Sequence, residues 1–99
     1  MTDRDPAQHL RYAFVRDGRL TSLPRRPLML RAACAFLADR FETGRRYAER
    51  EVNAILADDA PDPATLRRLL VDHGFLQRAA GTYWRPFADA APRVAAAPK

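Results

Sequence analysis

The apolar positions change period several times along the chain, and each change marks an element. Leu66, Leu69, Leu70 and His73 recur at i, i+3, i+4 and i+7, one stripe of a helix. Asp62 suits its N-cap, and Pro63 suits the first helical position, where a missing N–H costs nothing. Gly74 stops it, because glycine adopts the left-handed conformation freely. Phe75 and Leu76 then turn back to the core. Leu76 to Ala79 and Thr82 to Arg85 read as short strands around an Ala80–Gly81 turn. A helix followed at once by a tight hairpin, residues 62–85, is the unit around which the rest is arranged. Arg67 and Arg68 lie off the apolar stripe and are available to a partner.

Upstream, Asp5–Pro6 predicts one helical turn through Leu10, inside a segment 1–11 expected to be flexible. Tyr12 to Arg16 and Arg19 to Leu23 flank Asp17–Gly18, a two-residue hairpin signal, with Phe14 and Leu20 anchoring one face. Pro24 to Pro27 is a basic hinge. Leu30, Ala33, Cys34, Leu37 and Phe41 then keep helical spacing, predicting a helix from Leu28 to Phe41. A short strand is expected at Arg45 to Tyr47. A second helix is expected from Glu49 to Asp58, with Val52, Ile55 and Leu56 inward and Glu49 and Glu51 at the positive end of its dipole. Residues 86–99, rich in Ala and Pro, read as a disordered tail.

The order is hairpin, helix, short strand, helix, helix, hairpin, an α+β class. Its last five members are the order of a winged helix-turn-helix. The expected fold therefore has a three-helix core, a C-terminal β-hairpin wing and an extra N-terminal hairpin, over residues 12–85.

The 99 residues make one small domain. No apolar run approaches the ~20 residues of a membrane span, and no secretory signal is evident, so a cytoplasmic protein is expected. Cys34, the lone cysteine, sits on an apolar helix face; a buried thiol and a redox sensor are the two readings. The net charge of +5 invites a nucleic-acid partner. Every basic residue except Lys99 is arginine and alanine is abundant, a combination that a GC-rich genome also produces.

Charge placement says more than the total. From Arg11 to Arg46 nine arginines stand against Asp17, Asp39 and Glu42, a balance of +6. From Tyr47 to Asp62, Arg50 stands against Glu49, Glu51, Asp58, Asp59 and Asp62, a balance of −4. An acidic second helix and turn would repel phosphate there. They would suit a complementary protein surface instead, a second copy included.

The segments GRLTSLP, FLADRFETGRRYAEREVNAIL and TLRRLLVDHGFLQRAAGTYWR resemble the bacterial domain of unknown function 2087 family, over Phe14 to Arg85. Tyr47, Glu51, Val52 and Asn53, then Leu66–Arg67–Arg68 and Tyr83–Trp84–Arg85, carry the likeness. The resemblance implies a winged helix of the kind often fused behind a helix-turn-helix regulator, and hence a link to transcription control. This chain departs from the pattern by leaving no room for a fused regulator. A separately encoded regulator becomes a candidate partner. It also carries Ala48 where a hydroxyl N-cap is usual, a loss worth ~1 kcal/mol.

The leading expectation is a transcription-control module binding double-stranded DNA, with a homodimer reading paired half-sites. Thr65, Arg67 and Arg68 would contact DNA from the third helix, and Arg78 and Arg85 from the wing. Trp84 either joins a basic aromatic wing or pins the wing to the core; strand register decides which aromatic faces inward. Arg25, Arg26 and Arg31 are possible phosphate contacts, or a solvated face. The alternative is a protein-interaction module with the same shape, docking through Glu49, Glu51, Asp58 and Asp59. A small-molecule sensor is a third class, disfavoured by a core too small to spare a pocket. His73 is expected in the core. His9 and His73 make no metal site, and no nucleophile–base pair or phosphate loop is present, so neither catalysis nor a cofactor is expected.

Overall fold

In a computed structural model, which describes residues 5–87, four helices and two small antiparallel sheets enclose one core. Helix α1 spans Pro6–Phe14, and strands β1 (Val15–Arg16) and β2 (Arg19–Leu20) form the first hairpin. Helix α2 (Pro27–Ala38), strand β3 (Arg46–Ala48), helix α3 (Glu49–Ile55) and helix α4 (Pro63–Asp72) follow. Strands β4 (Gln77–Ala79) and β5 (Thr82–Trp84) close the described chain. The second sheet has the order β3-β5-β4, so the middle strand is the last in sequence.

The start and stop of α4 follow from local chemistry. The Asp62 carboxylate accepts from the Thr65 N–H at 2.8 Å, satisfying an amide with no intrahelical partner. At the other end Gly74 has φ +82°, and the Phe75 N–H reaches the Leu70 carbonyl at 2.8 Å. The Gly74 N–H reaches Val71 at 3.1 Å, completing the paired bonds of a left-handed glycine stop. Both hairpins turn on two residues of positive φ: Asp17 with Gly18, and Ala80 with Gly81. That geometry matches the right-handed twist of the flanking strands.

The core draws on every helix: Leu10 from α1, Cys34 and Leu37 from α2, Val52 from α3, Leu66 and Leu70 from α4. Leu20, Phe41, Tyr47, Leu56, Leu76 and Tyr83 fill it between them. Phe41 meets Tyr47 edge-on at 5.2 Å. Cys34 is buried, and burial pushes its thiol up to about 11 against the opposing pull of Arg31.

Several expectations change, among them two boundaries: the predicted Arg19–Leu23 strand stops at Leu20, and the predicted Leu28–Phe41 helix runs Pro27–Ala38. The segment 1–11, read as flexible with one helical turn, instead holds most of a nine-residue helix whose Leu10 is buried. That helix runs to Phe14 and shortens the predicted Tyr12–Arg16 strand to Val15–Arg16. Asp5 caps it through the Gln8 N–H at 2.9 Å, and packing of α1 along α2 supplies what one turn alone could not. Helix α3 ends at Ile55, short of Asp58. His73 is half-buried at the end of α4, not a core residue. The predicted tail lies outside the described residues except for Pro86 and Phe87. Among the described residues no helix is long and apolar enough to cross a membrane.

Candidate nucleic-acid interface

Three of the four arginines singled out on α4 and the second hairpin meet at one place. Arg67, Arg68 and Arg78 line a groove of about 270 Å³ between α4 and the β4–β5 hairpin, with Asp72 and Tyr83. The register explains the meeting. Arg78 pairs with Tyr83, so both project to the same side of the sheet, the side on which Tyr83 is buried.

The three cations differ in what already holds them. The Arg67 guanidinium donates to the Asn53 side-chain oxygen and lies 3.7 Å from the Glu49 carboxylate. Its carbon also sits 6.0 Å from the Tyr83 ring centre. Glu49 in turn accepts from the Tyr83 hydroxyl at 3.1 Å. Arg67 is thus a brace joining α4, α3 and β5, with a side chain only 19% exposed. Arg78 also lies 6.0 Å from the centre of the same ring, and is exposed. Arg68 is exposed and has no hydrogen bond or ion pair among the described residues.

The remaining expected contacts are placed elsewhere or are occupied. The Thr65 hydroxyl donates to Asp62 at 3.0 Å and belongs to the α4 cap. These bonds from Thr65 hold the Asp62 carboxyl below its ordinary range. Arg85 turns toward the end of α2, donating to the Ala38 carbonyl at 2.9 Å beside Asp39 at 3.3 Å. Cations are favoured at a helix C-terminus, so Arg85 secures the sheet to α2 and does not reach the groove. Arg25 and Arg26 are exposed at the start of α2, whereas Arg31 lies 5.0 Å over the Phe75 ring.

The acidic surface is smaller than the sequence suggests. Asp59, expected at a protein interface, is buried with a side chain 0% exposed. Its carboxylate accepts from the Leu20 N–H at 2.6 Å and from both ends of the Arg40 fork, one of them at 2.8 Å. Burial alone would raise its pKa. The hydrogen bonds from Arg40 and Leu20 and the charges of Arg40 and Arg19 outweigh burial and hold it below the usual carboxylate range. Glu51 is exposed but accepts from the Ala48 N–H at 2.7 Å, the half of a capping box that survives without a hydroxyl at Ala48. Asp58 is exposed, with Arg19 at 3.7 Å.

Trp84 faces away from the core. Its indole N–H donates to Gln77 at 2.9 Å, and the Arg46 guanidinium covers its ring at 4.4 Å. The aromatic that pins the hairpin is Tyr83, a correction that follows from the register with β3 and β4. The sequence alone assigns no role to Asn53, Arg40 or Arg46. Asn53 is among the residues that carry the family likeness, but its partner is fourteen positions away on another helix.

The model of a family of uncharacterized proteins conserved in bacteria, DUF2087, matches residues 19–85, more than half of the chain. The chain belongs to the DUF2087 family. No curated protein and no solved structure matches it. The match takes in the whole arginine groove and every residue of the Arg67 brace, while α1 and β1 precede it. In this DUF2087 chain the family portion and the N-terminal helix nevertheless share one core.

Proposed function

We propose that the chain is a winged-helix module of transcription control that binds double-stranded DNA through α4 and the β4–β5 hairpin. The order α2-β3-α3-α4-β4-β5 supports the winged-helix reading, with α4 as the helix that enters the major groove and the hairpin as the wing. The observation that carries the reading is the groove between them. Three arginines converge there, and Arg68 and Arg78 are exposed with no carboxylate paired to them among the described residues. Arg68 on the helix suits a guanine edge or a phosphate, and Arg78 on the wing suits the adjacent backbone. Arg67 keeps the two surfaces at a fixed distance.

Pairing within the chain weakens the electrostatic objection. Asp59 is neutralised by Arg40, Glu49 faces Arg67, and Asp58 faces Arg19. The carboxylates of α3 and of the turn after it are therefore met by partners within the chain, whereas Asp72, on α4 itself, lines the groove with no ion pair among the described residues.

The test is fluorescence anisotropy of the folded protein with random-sequence duplex across a salt series. The expected result is affinity that falls with salt, at about 0.9 log units per log unit of salt for each phosphate neutralised. Absence of binding by folded protein at low salt would end the DNA reading. It would leave a protein partner, docking over Glu49, Glu51 and Asp58, as the function to pursue.

A further inference from the structure

A second and larger groove lies at the edge of the core, between α1 and the segment that leads into α2. It is an open groove of about 970 Å³. Phe14, Leu23, Leu28 and Met29 form its apolar wall, and Arg25 and Arg26 its polar rim. Its size falls in the range of small-molecule sites, roughly 300–1,000 Å³. The core is too small to spare a pocket; the groove exists because α1 runs nine residues, about two and a half turns, and supplies an opposite wall.

Two features set the chemistry of the occupant. Leu28 is 64% exposed, a large apolar side chain left uncovered at the mouth. The guanidiniums of Arg25 and Arg26 are exposed and have no hydrogen bond or ion pair among the described residues, and no carboxylate lines the groove. The start of α2 adds to the same sign of potential. Arg26 occupies the N-cap without a side-chain cap bond, and Pro27 fills the first helical position. The amides of Leu28 and Met29 are therefore left without intrahelical partners. A body that covers Leu28 and a head that satisfies two guanidiniums must be apolar at one end and anionic at the other. The chain outside the described residues does not fit by charge, since Asp3 and Asp89 are outnumbered by Arg4, Arg93 and Lys99.

We propose that this groove binds a small anionic amphiphile, an apolar body carrying one carboxylate, with the carboxylate at Arg25 and Arg26 and the body along Phe14, Leu23, Leu28 and Met29. The site is separate from the arginine groove on α4, and it stands or falls independently of DNA binding.

The experiment is amide NMR titration of the full chain with sodium decanoate below its micellar range. Parallel titrations use decyltrimethylammonium, which keeps the tail and reverses the charge, and inorganic phosphate, which keeps the anion and removes the tail. The expected result is saturable shifts at Leu23, Leu28 and Met29 with decanoate alone. Arg25→Gln with Arg26→Gln should weaken that binding about tenfold or more while the rest of the spectrum stays native. Four results would overturn the proposal: no saturable shift with decanoate; equal binding of the cationic amphiphile, which marks a merely greasy surface; equal shifts with phosphate, which marks a plain anion site; or undiminished decanoate binding by the folded double variant. Should the double variant fail to fold, the three-ligand comparison on the native chain decides alone.

Discussion

Asp59 shows how one side chain ties three segments together. Its carboxylate takes the Leu20 N–H of β2 and the Arg40 fork beyond α2, while Arg40 also donates to the Gly18 and Ile55 carbonyls. Removing one member of such a pair strands the other in the interior. Asp59→Ala should cost about 3–5 kcal/mol, whereas Asp58→Ala, one position away and exposed, should stay within about 0.5 kcal/mol. Chemical denaturation of both variants checks the contrast. The pH dependence has a definite sign. The folded pKa of Asp59 lies below its unfolded value, so its contribution is present above the ordinary carboxylate range and is lost as pH falls through the folded pKa. The Tm gap between the native chain and Asp59→Asn should be constant from about pH 7 to 5 and narrow below about pH 4. A gap that stayed constant to the acid limit would mean that the carboxylate charge does not stabilise the fold. None of this is legible locally: Asp58 and Asp59 look alike until Leu20, 39 positions earlier, is folded against one of them.

At the scale of elements, the readable parts are those whose causes are local. The α4 boundaries follow from Asp62, Pro63 and Gly74, and the hairpin from Ala80–Gly81, all within a few residues. Helix α1 was only partly readable, since its length depends on α2. Two elements carry imperfect local chemistry, and each yields a stabilising substitution. Ala80 sits at φ +51° in the β4–β5 turn, a left-handed conformation that costs an L-residue roughly 1–2 kcal/mol. Asn tolerates it and favours this turn type, so Ala80→Asn should raise stability by about 0.5–1 kcal/mol. Helix α3 starts at Ala48 without a side-chain cap, although its backbone already has the extended φ −73°, ψ 158° of a capping residue. Ala48→Ser should complete the box with Glu51 and add about 1 kcal/mol. Thermal melts of the two single variants and their combination are the check. Near-additivity is expected for the pair, because they touch different groups, and a loss of stability in either would show that the local account of that element is wrong.

For the whole molecule, the distribution of charge matters through what each arginine is already doing. The sequence presents Arg67 and Arg68 as equals, and Arg78 and Arg85 as a second matched pair. Folding separates both pairs, because Asn53, Glu49 and Tyr83 gather around Arg67, and the end of α2 gathers around Arg85. Two arginines are left with exposed heads and two hold the frame that presents them. The division makes a prediction on two axes at once. Arg68→Ala with Arg78→Ala should lower duplex affinity and reduce the salt slope by about 1.8, two phosphates at about 0.9 each, with Tm almost unchanged. Arg67→Ala should destabilise the fold by about 1–3 kcal/mol, the cost of leaving Asn53 without its donor and Glu49 without its counter-charge, and should lower affinity without the same change of slope. Anisotropy and thermal melts on the same preparations place each variant on the two axes. If Arg67→Ala left stability intact and removed a full phosphate from the slope, the brace would be a contact residue. If the Arg68 and Arg78 pair changed neither quantity, DNA would not enter this groove, whatever the net charge of the chain attracts elsewhere.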